Sequence, residues 1–192
     1  MVNESPLQFI TPPPTGGLHL SPVTCNEVSE ILSSLKNSAP GYDNLSAELL
    51  KVVSVAIVKP LTHIFNLSFS SGIVPQELKM AKIIPIYKAE DPAIFTNYRP
   101  ISILPSISKI LEKLAYDRLL GYLDKNEILY KHQYGFRKSR STSMAITHFT
   151  NELHRANDNK EHTIGIFLDL SKAFDTVDHP ILLQKLKYLG LC

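Results

Sequence analysis

Helices interleaved with short strands, in an α/β or α+β domain, are what this 192-residue sequence predicts. Three observations carry that expectation. Apolar residues recur at helical spacing behind N-cap signals. Two short β-branched runs flank a turn. One unbroken apolar run ends at a carboxylate, Asp169. Hydrophobic residues make up 44% of the chain, enough for a real core and far from the composition of disordered chains.

Residues 1–22 hold Pro12-Pro13-Pro14 and Gly16-Gly17 and read as an extended linker. Thr24-x-x-Glu27 is a capping box, and Val28, Ile31, Leu32 and Leu35 follow at helical spacing until Pro40-Gly41. A second helix is expected from about Ser46 to Val58. Pro60 breaks it or opens a third, which carries Leu61, Ile64 and Phe65 and stops at Gly72. Lys82 through Lys88 suits a strand, with Pro85 placing it at an edge or a bulge. Glu90-Asp91-Pro92 is a turn, and Tyr98 through Ile103 is a second strand, so the two predict a β-ribbon. Ile107, Ile110, Leu111, Leu114 and the stretch Arg118 to Leu123 predict a long amphipathic helix; another covers about Thr142 to Asn157. Ile164 to Leu168 is apolar without alternation, which predicts a strand buried on both faces with Asp169 at its C-terminal end. Asp178 is a natural N-cap for a last helix that has Pro180 early and closes at Gly190.

Several classes are disfavoured. The formal net charge is only +2, so nucleic-acid binding must come from local clusters. Cys25 and Cys192 lie near opposite ends and form no disulfide framework, which suits a reduced intracellular compartment without distinguishing nucleus from cytoplasm. No Cys/His cluster has zinc spacing. No apolar run is long enough to span a bilayer, and Met1 to Pro6 does not open a signal peptide. No Gly-rich phosphate loop precedes a helix, against a P-loop phosphotransferase.

Asp169 is the sharpest single feature. A carboxylate at the end of a buried strand sits at a sheet edge on rigid backbone, where Mg²⁺ finds the hard oxygen it prefers. On pattern alone, a cap for the following turn is the stronger reading. The surrounding string Phe167-Leu168-Asp169-Leu170-Ser171-Lys172-Ala173-Phe174-Asp175-Thr176-Val177 shifts that balance, because it resembles motif A of LINE-type reverse transcriptases. Three further stretches match the same family in order. Ala39-Pro40-Gly41-Tyr42-Asp43 resembles its "APGxD" motif. Asn97 through Leu104, followed by Ser108 through Lys113, resembles its "NYRPIS…SKxxEK" block. Gln133 through Thr142 resembles its "QxGFRxxRST" block. The resemblance covers roughly residues 24–191, and four motifs in order are highly specific.

The resemblance implies an α+β right-hand polymerase of the non-LTR retrotransposon kind, helix-rich with a small antiparallel ribbon and a palm strand. Residues 23–160 would be the fingers-like region and 161–192 the start of the palm. It implies templated transfer of dNTPs onto a DNA primer along an RNA template, with Mg²⁺. Asp169 would be the first catalytic carboxylate, with the Leu170 carbonyl as a second metal ligand. Phe174, otherwise an ordinary core aromatic, takes the position of the steric gate against a ribose 2′-OH. Lys88 and Arg99 would hold the triphosphate, with Lys82 as a rival for the lysine role; a solvated strand edge is the alternative for both lysines. Arg137, Lys138 and Arg140, beside Tyr134 and Phe136, could bind template phosphates and stack bases, against the simpler reading of a solvated loop. Tyr42 and Asn44 depart from the family's usual Pro and Gly. The family's later Asp-Asp pair has no counterpart, since the chain contains no Asp-Asp dipeptide. The expectation is therefore a fragment ending before the site is complete, inactive alone; a non-catalytic nucleic-acid-binding remnant is the alternative. No membrane partner is expected, and the oligomeric state is open.

Overall fold

The computed structural model describes Leu7, Ile10 and residues 16–170 and 173–191. Pro12 to Pro14, Ser171, Lys172 and Cys192, all used above, lie outside the described residues. Thr24 caps α1 (Cys25–Ser34) as its spacing requires: its Oγ accepts from the Glu27 N–H at 3.2 Å, and the Glu27 carboxylate accepts from the Thr24 N–H at 2.8 Å. Ser46 caps α2 (Ala47–Val52), and α3 (Ser54–Ser71) follows directly. The break between them is therefore at Val53 and not at Pro60, which sits inside α3. Val52-Val53-Ser54-Val55 is a run of poor helix formers, whereas Pro60 is followed by Leu61 and Phe65, whose burial holds the helix together across the missing N–H. Gly72, at φ 70°, ends α3 in the left-handed conformation that glycine adopts without strain.

After the short α4 (Gln76–Lys79) come β1 (Lys82–Tyr87) and β2 (Tyr98–Ile103), paired antiparallel with Pro85 opposite Pro100. The long α5 (Ser106–Lys125), α6 (Thr142–Asp158) and α7 (His179–Tyr188) complete the order. Ser141 and Asp178 cap α6 and α7.

The chain divides into two compact units, His19–Gly121 and a second that runs from Tyr122 onward with the described residues before His19. The core of the first is Val23, Val28, Leu32, Leu61, Phe65, Ile110, Leu111 and Leu114, contributed by the segment before α1 and by α1, α3 and α5. Phe65 and Ile110 are fully buried, each worth about 2–3 kcal/mol of apolar transfer. The segment entering α1 is tied to this core. Asn66 brackets Val23, accepting from its N–H at 2.6 Å and donating to its carbonyl at 2.9 Å. Arg118 donates to the carbonyls of Ser21 and Pro22 and pairs with Glu27 at 3.0 Å. In the second unit α6 and α7 bury no residue fully.

The strand expected at Ile164 to Asp169 is not formed. Residues 161–170 carry no regular secondary structure and are exposed throughout, Leu168 at 90%. A strand apolar on both faces needs a neighbour to pair with, and among the described residues β1 and β2 pair only with each other. What stands is a helix-rich chain with a two-stranded antiparallel sheet.

Candidate nucleotide and nucleic-acid sites

The prolines fix which way the ribbon's groups face. Lys88 N–H donates to the Asn97 carbonyl at 2.8 Å, one pair beyond the end of β1. Counting back in the antiparallel alternation, Ile86–Arg99, Ile84–Ile101 and Lys82–Ile103 are hydrogen-bonded pairs, and Pro85–Pro100 is a non-hydrogen-bonded one. Two residues without an N–H thus face each other where neither N–H is needed by the ladder. Side chains alternate along each strand, so Lys82, Lys88 and Arg99 share one face. The other face carries Tyr87 and Tyr98, with ring centroids 5.6 Å apart. Their hydroxyls donate to the carbonyls of Glu90 and Pro92, which ties the loop to that tyrosine face. Among the described residues none of the three cations has a carboxylate partner.

The junction between β2 and α5 is set by the loop at Pro40 to Ser46. A Cβ at Gly41 would lie 2.7 Å from the Pro105 nitrogen and 2.9 Å from its Cα. Only glycine lets the two backbones approach so closely. Asn44 sits at φ 58°, Tyr42 donates to the Glu77 carbonyl at 3.0 Å, and the buried Ser106 hydroxyl donates to the Leu45 carbonyl at 3.2 Å. The contact this motif makes was not legible in the sequence, because Leu104 and Pro105 lie more than sixty residues away.

In the second unit, Arg137 is committed to protein contacts. It donates to Asp124 at 2.9 Å and to the Tyr130 carbonyl at 3.4 Å, and its side chain is only 19% exposed. Lys138 is exposed, and the Arg140 guanidinium lies 5.5 Å from the centroid of the Tyr134 ring. Phe136, at φ 59°, meets Phe174 edge to face at 5.9 Å, and both rings are largely exposed. Asp169 and Leu170 lie in the exposed segment.

Residues 86–192, more than half of the chain, match the family described as Reverse transcriptase (RNA-dependent DNA polymerase). The chain belongs to the reverse transcriptase family. It is 38% identical, over 97% of its length, to the RNA-directed DNA polymerase from mobile element jockey of Drosophila melanogaster. It is 35% identical over the same share to the corresponding protein of Drosophila funebris. It is also 35% identical over 97% to a Drosophila melanogaster protein named "Probable RNA-directed DNA polymerase from transposon BS". The chain spans about a fifth of the length of each of these relatives. They are reverse transcriptases of non-LTR retrotransposons, as the four motifs indicated.

The reverse transcriptase family suggests a divalent metal. The described residues alone do not fit one, since no three His, Cys, Asp or Glu side chains come together. Asp178 is occupied as the α7 cap, accepting from the Ile181 N–H at 3.0 Å. No helix among the described residues is long and apolar enough to cross a membrane. The sequence did not single out His132 and His148, whose rings lie 4.5 Å apart. The His132 imidazole is held below its ordinary pKa by partial burial and by the neighbouring His148, Lys131 and Arg140, against an opposing pull from Glu152.

Proposed function

We propose that this chain is the fingers-like region (23–160) and the opening of the palm (161–192) of a right-hand RNA-directed DNA polymerase. The observation that carries the reading is the single cationic face of the ribbon, Lys82, Lys88 and Arg99, placed in sequence ahead of the motif around Asp169. An Arg fork and a Lys point charge are the pair of groups that grip a triphosphate. The substrates would be a dNTP, a DNA primer and an RNA template. The primer 3′-oxygen attacks the α-phosphorus, and pyrophosphate leaves.

In this reading Arg99 forks onto the phosphate oxygens and Lys88 supplies the second cation, with Lys82 further along the same face. The exposed Phe174 ring lies under the incoming sugar, where a ribose 2′-OH would clash with it. Lys138 and Arg140 contact template phosphates. Arg137 stands behind them and shapes the loop through Asp124. Asp169, with the Leu170 carbonyl, would offer one carboxylate to a divalent cation such as Mg²⁺. Chemistry of this kind belongs inside the cell, where the exposed, unpaired Cys25 stays reduced.

The test is a graft. The segment replaces its counterpart in the jockey polymerase, and RNA-templated primer extension is measured. Extension near the parent's rate is expected. A folded graft without extension overturns the reading.

A further inference from the structure

The rings of Tyr130, His132, His148 and Tyr134 form a continuous series, with successive centroids 5.2, 4.5 and 6.1 Å apart. The guanidinium of Arg140 ends the series over Tyr134. Beside it lies an open surface depression of about 380 Å³. Its walls come from the loop (Tyr134, Arg140) and from one face of α6, where Ser143, Met144, Thr147, His148 and Asn151 recur at helical spacing. No carboxylate lines it; Glu152, on the next turn, is paired with Arg155.

We propose that this cleft is a subsite for one unpaired nucleobase of a single strand. The base stacks on His148 and Tyr134, its polar edge meets the amide of Asn151 and the hydroxyl of Ser143, and its phosphate meets Arg140. The chemistry selects this ligand class. An aromatic wall favours any flat ring, since every base has a π-face. An amide and a hydroxyl offer both donors and acceptors to a base edge. A guanidinium with no competing carboxylate in the pocket is free to donate to a phosphate oxygen. None of Tyr130, His132, His148 or Asn151 was among the residues read as nucleic-acid contacts from the sequence, and α6 was read only as a helix.

This inference deepens the polymerase reading and rests on it for the nature of the ligand. The test compares two labelled strands of equal length and charge, a short single-stranded RNA and its abasic analogue, binding to the 192-residue chain by fluorescence anisotropy. The base-bearing strand should bind more tightly. His148→Ala and Tyr134→Ala should each weaken it on the order of tenfold, the scale of one lost stack, and leave abasic binding unchanged, while Tyr134→Phe retains the preference. Equal affinity of the wild-type chain for the two strands overturns the proposal, and that comparison decides even where a variant does not fold. Equal weakening of both strands in the variants also overturns it, because the contact is then to the strand's backbone and not to its base. A grafted polymerase that fails to extend leaves the difference between the two strands untouched, so the two readings fail separately.

Discussion

Gly41 shows how one residue can be required by a partner far along the chain. The Cβ of any other residue would run into backbone at Leu104 and Pro105, and backbone cannot rotate away. Gly41→Ala is expected to destabilise the first unit by about 1–3 kcal/mol, the cost of overpacking, read as a lower denaturation midpoint at unchanged slope. An unchanged midpoint would mean that the loop can lift off the β2–α5 junction at no cost. Glu27 acts at the same scale through charge. Its carboxyl is held below the ordinary carboxylate range chiefly by the Thr24 N–H, against desolvation by burial as the next largest effect, and further by the Thr24 hydroxyl and Arg118. A depressed folded-state pKa contributes stability above the unfolded pKa, and that contribution is lost as pH falls through the folded value. Glu27→Gln should therefore lower the thermal midpoint at neutral pH, and the difference should close on acidification. A difference that persists in acid would assign the effect to packing and not to charge. Both Thr24 and Glu27 were legible in sequence, because a capping box is local. Arg118 as the third partner was not, since it comes from α5.

Elements were legible wherever their signals were local. The caps read at Thr24 and Asp178 mark real helix starts, and the ribbon pairs Lys82 to Tyr87 with Tyr98 to Ile103. The break at Val53 was missed because Pro60 is the louder signal, yet tertiary burial at Leu61 and Phe65 overrides it. Ile164 to Leu168 has the composition of an inner strand, but composition cannot supply a partner strand, and within this chain the run stays exposed. The ribbon survives as an exposed pair because its outward N–H rows are interrupted. Pro85 and Pro100 occupy the centre of each free edge. Replacing both, as Pro85→Thr with Pro100→Thr, restores those donors and should promote edge-to-edge association, seen as larger species in sedimentation velocity. A double variant that sediments like the wild type would show that the prolines serve only to shape the ribbon.

At the scale of the whole molecule, the chain carries the parts that would bind nucleotide and strand more completely than the parts that would do chemistry. Lys82, Lys88 and Arg99 share a face, Tyr134 and Arg140 stand beside a cleft, and no three His, Cys, Asp or Glu side chains come together around a metal position among the described residues. The purified 192-residue chain should accordingly bind single strands weakly, with a strong salt dependence, and give no primer extension. The order of the motifs made the family legible. The site's three-dimensional assembly was not legible, because it depends on neighbours for the segment around Asp169 that no local pattern encodes. The role of that carboxylate is the central claim, and one substitution tests it most directly. Primer extension on an RNA template is measured for the jockey graft carrying Asp169→Asn, with Asp175→Asn as the matched control for a nearby exposed carboxylate. The account predicts that Asp169→Asn abolishes dNTP incorporation in a folded protein while Asp175→Asn retains it; incorporation that survives Asp169→Asn would contradict it.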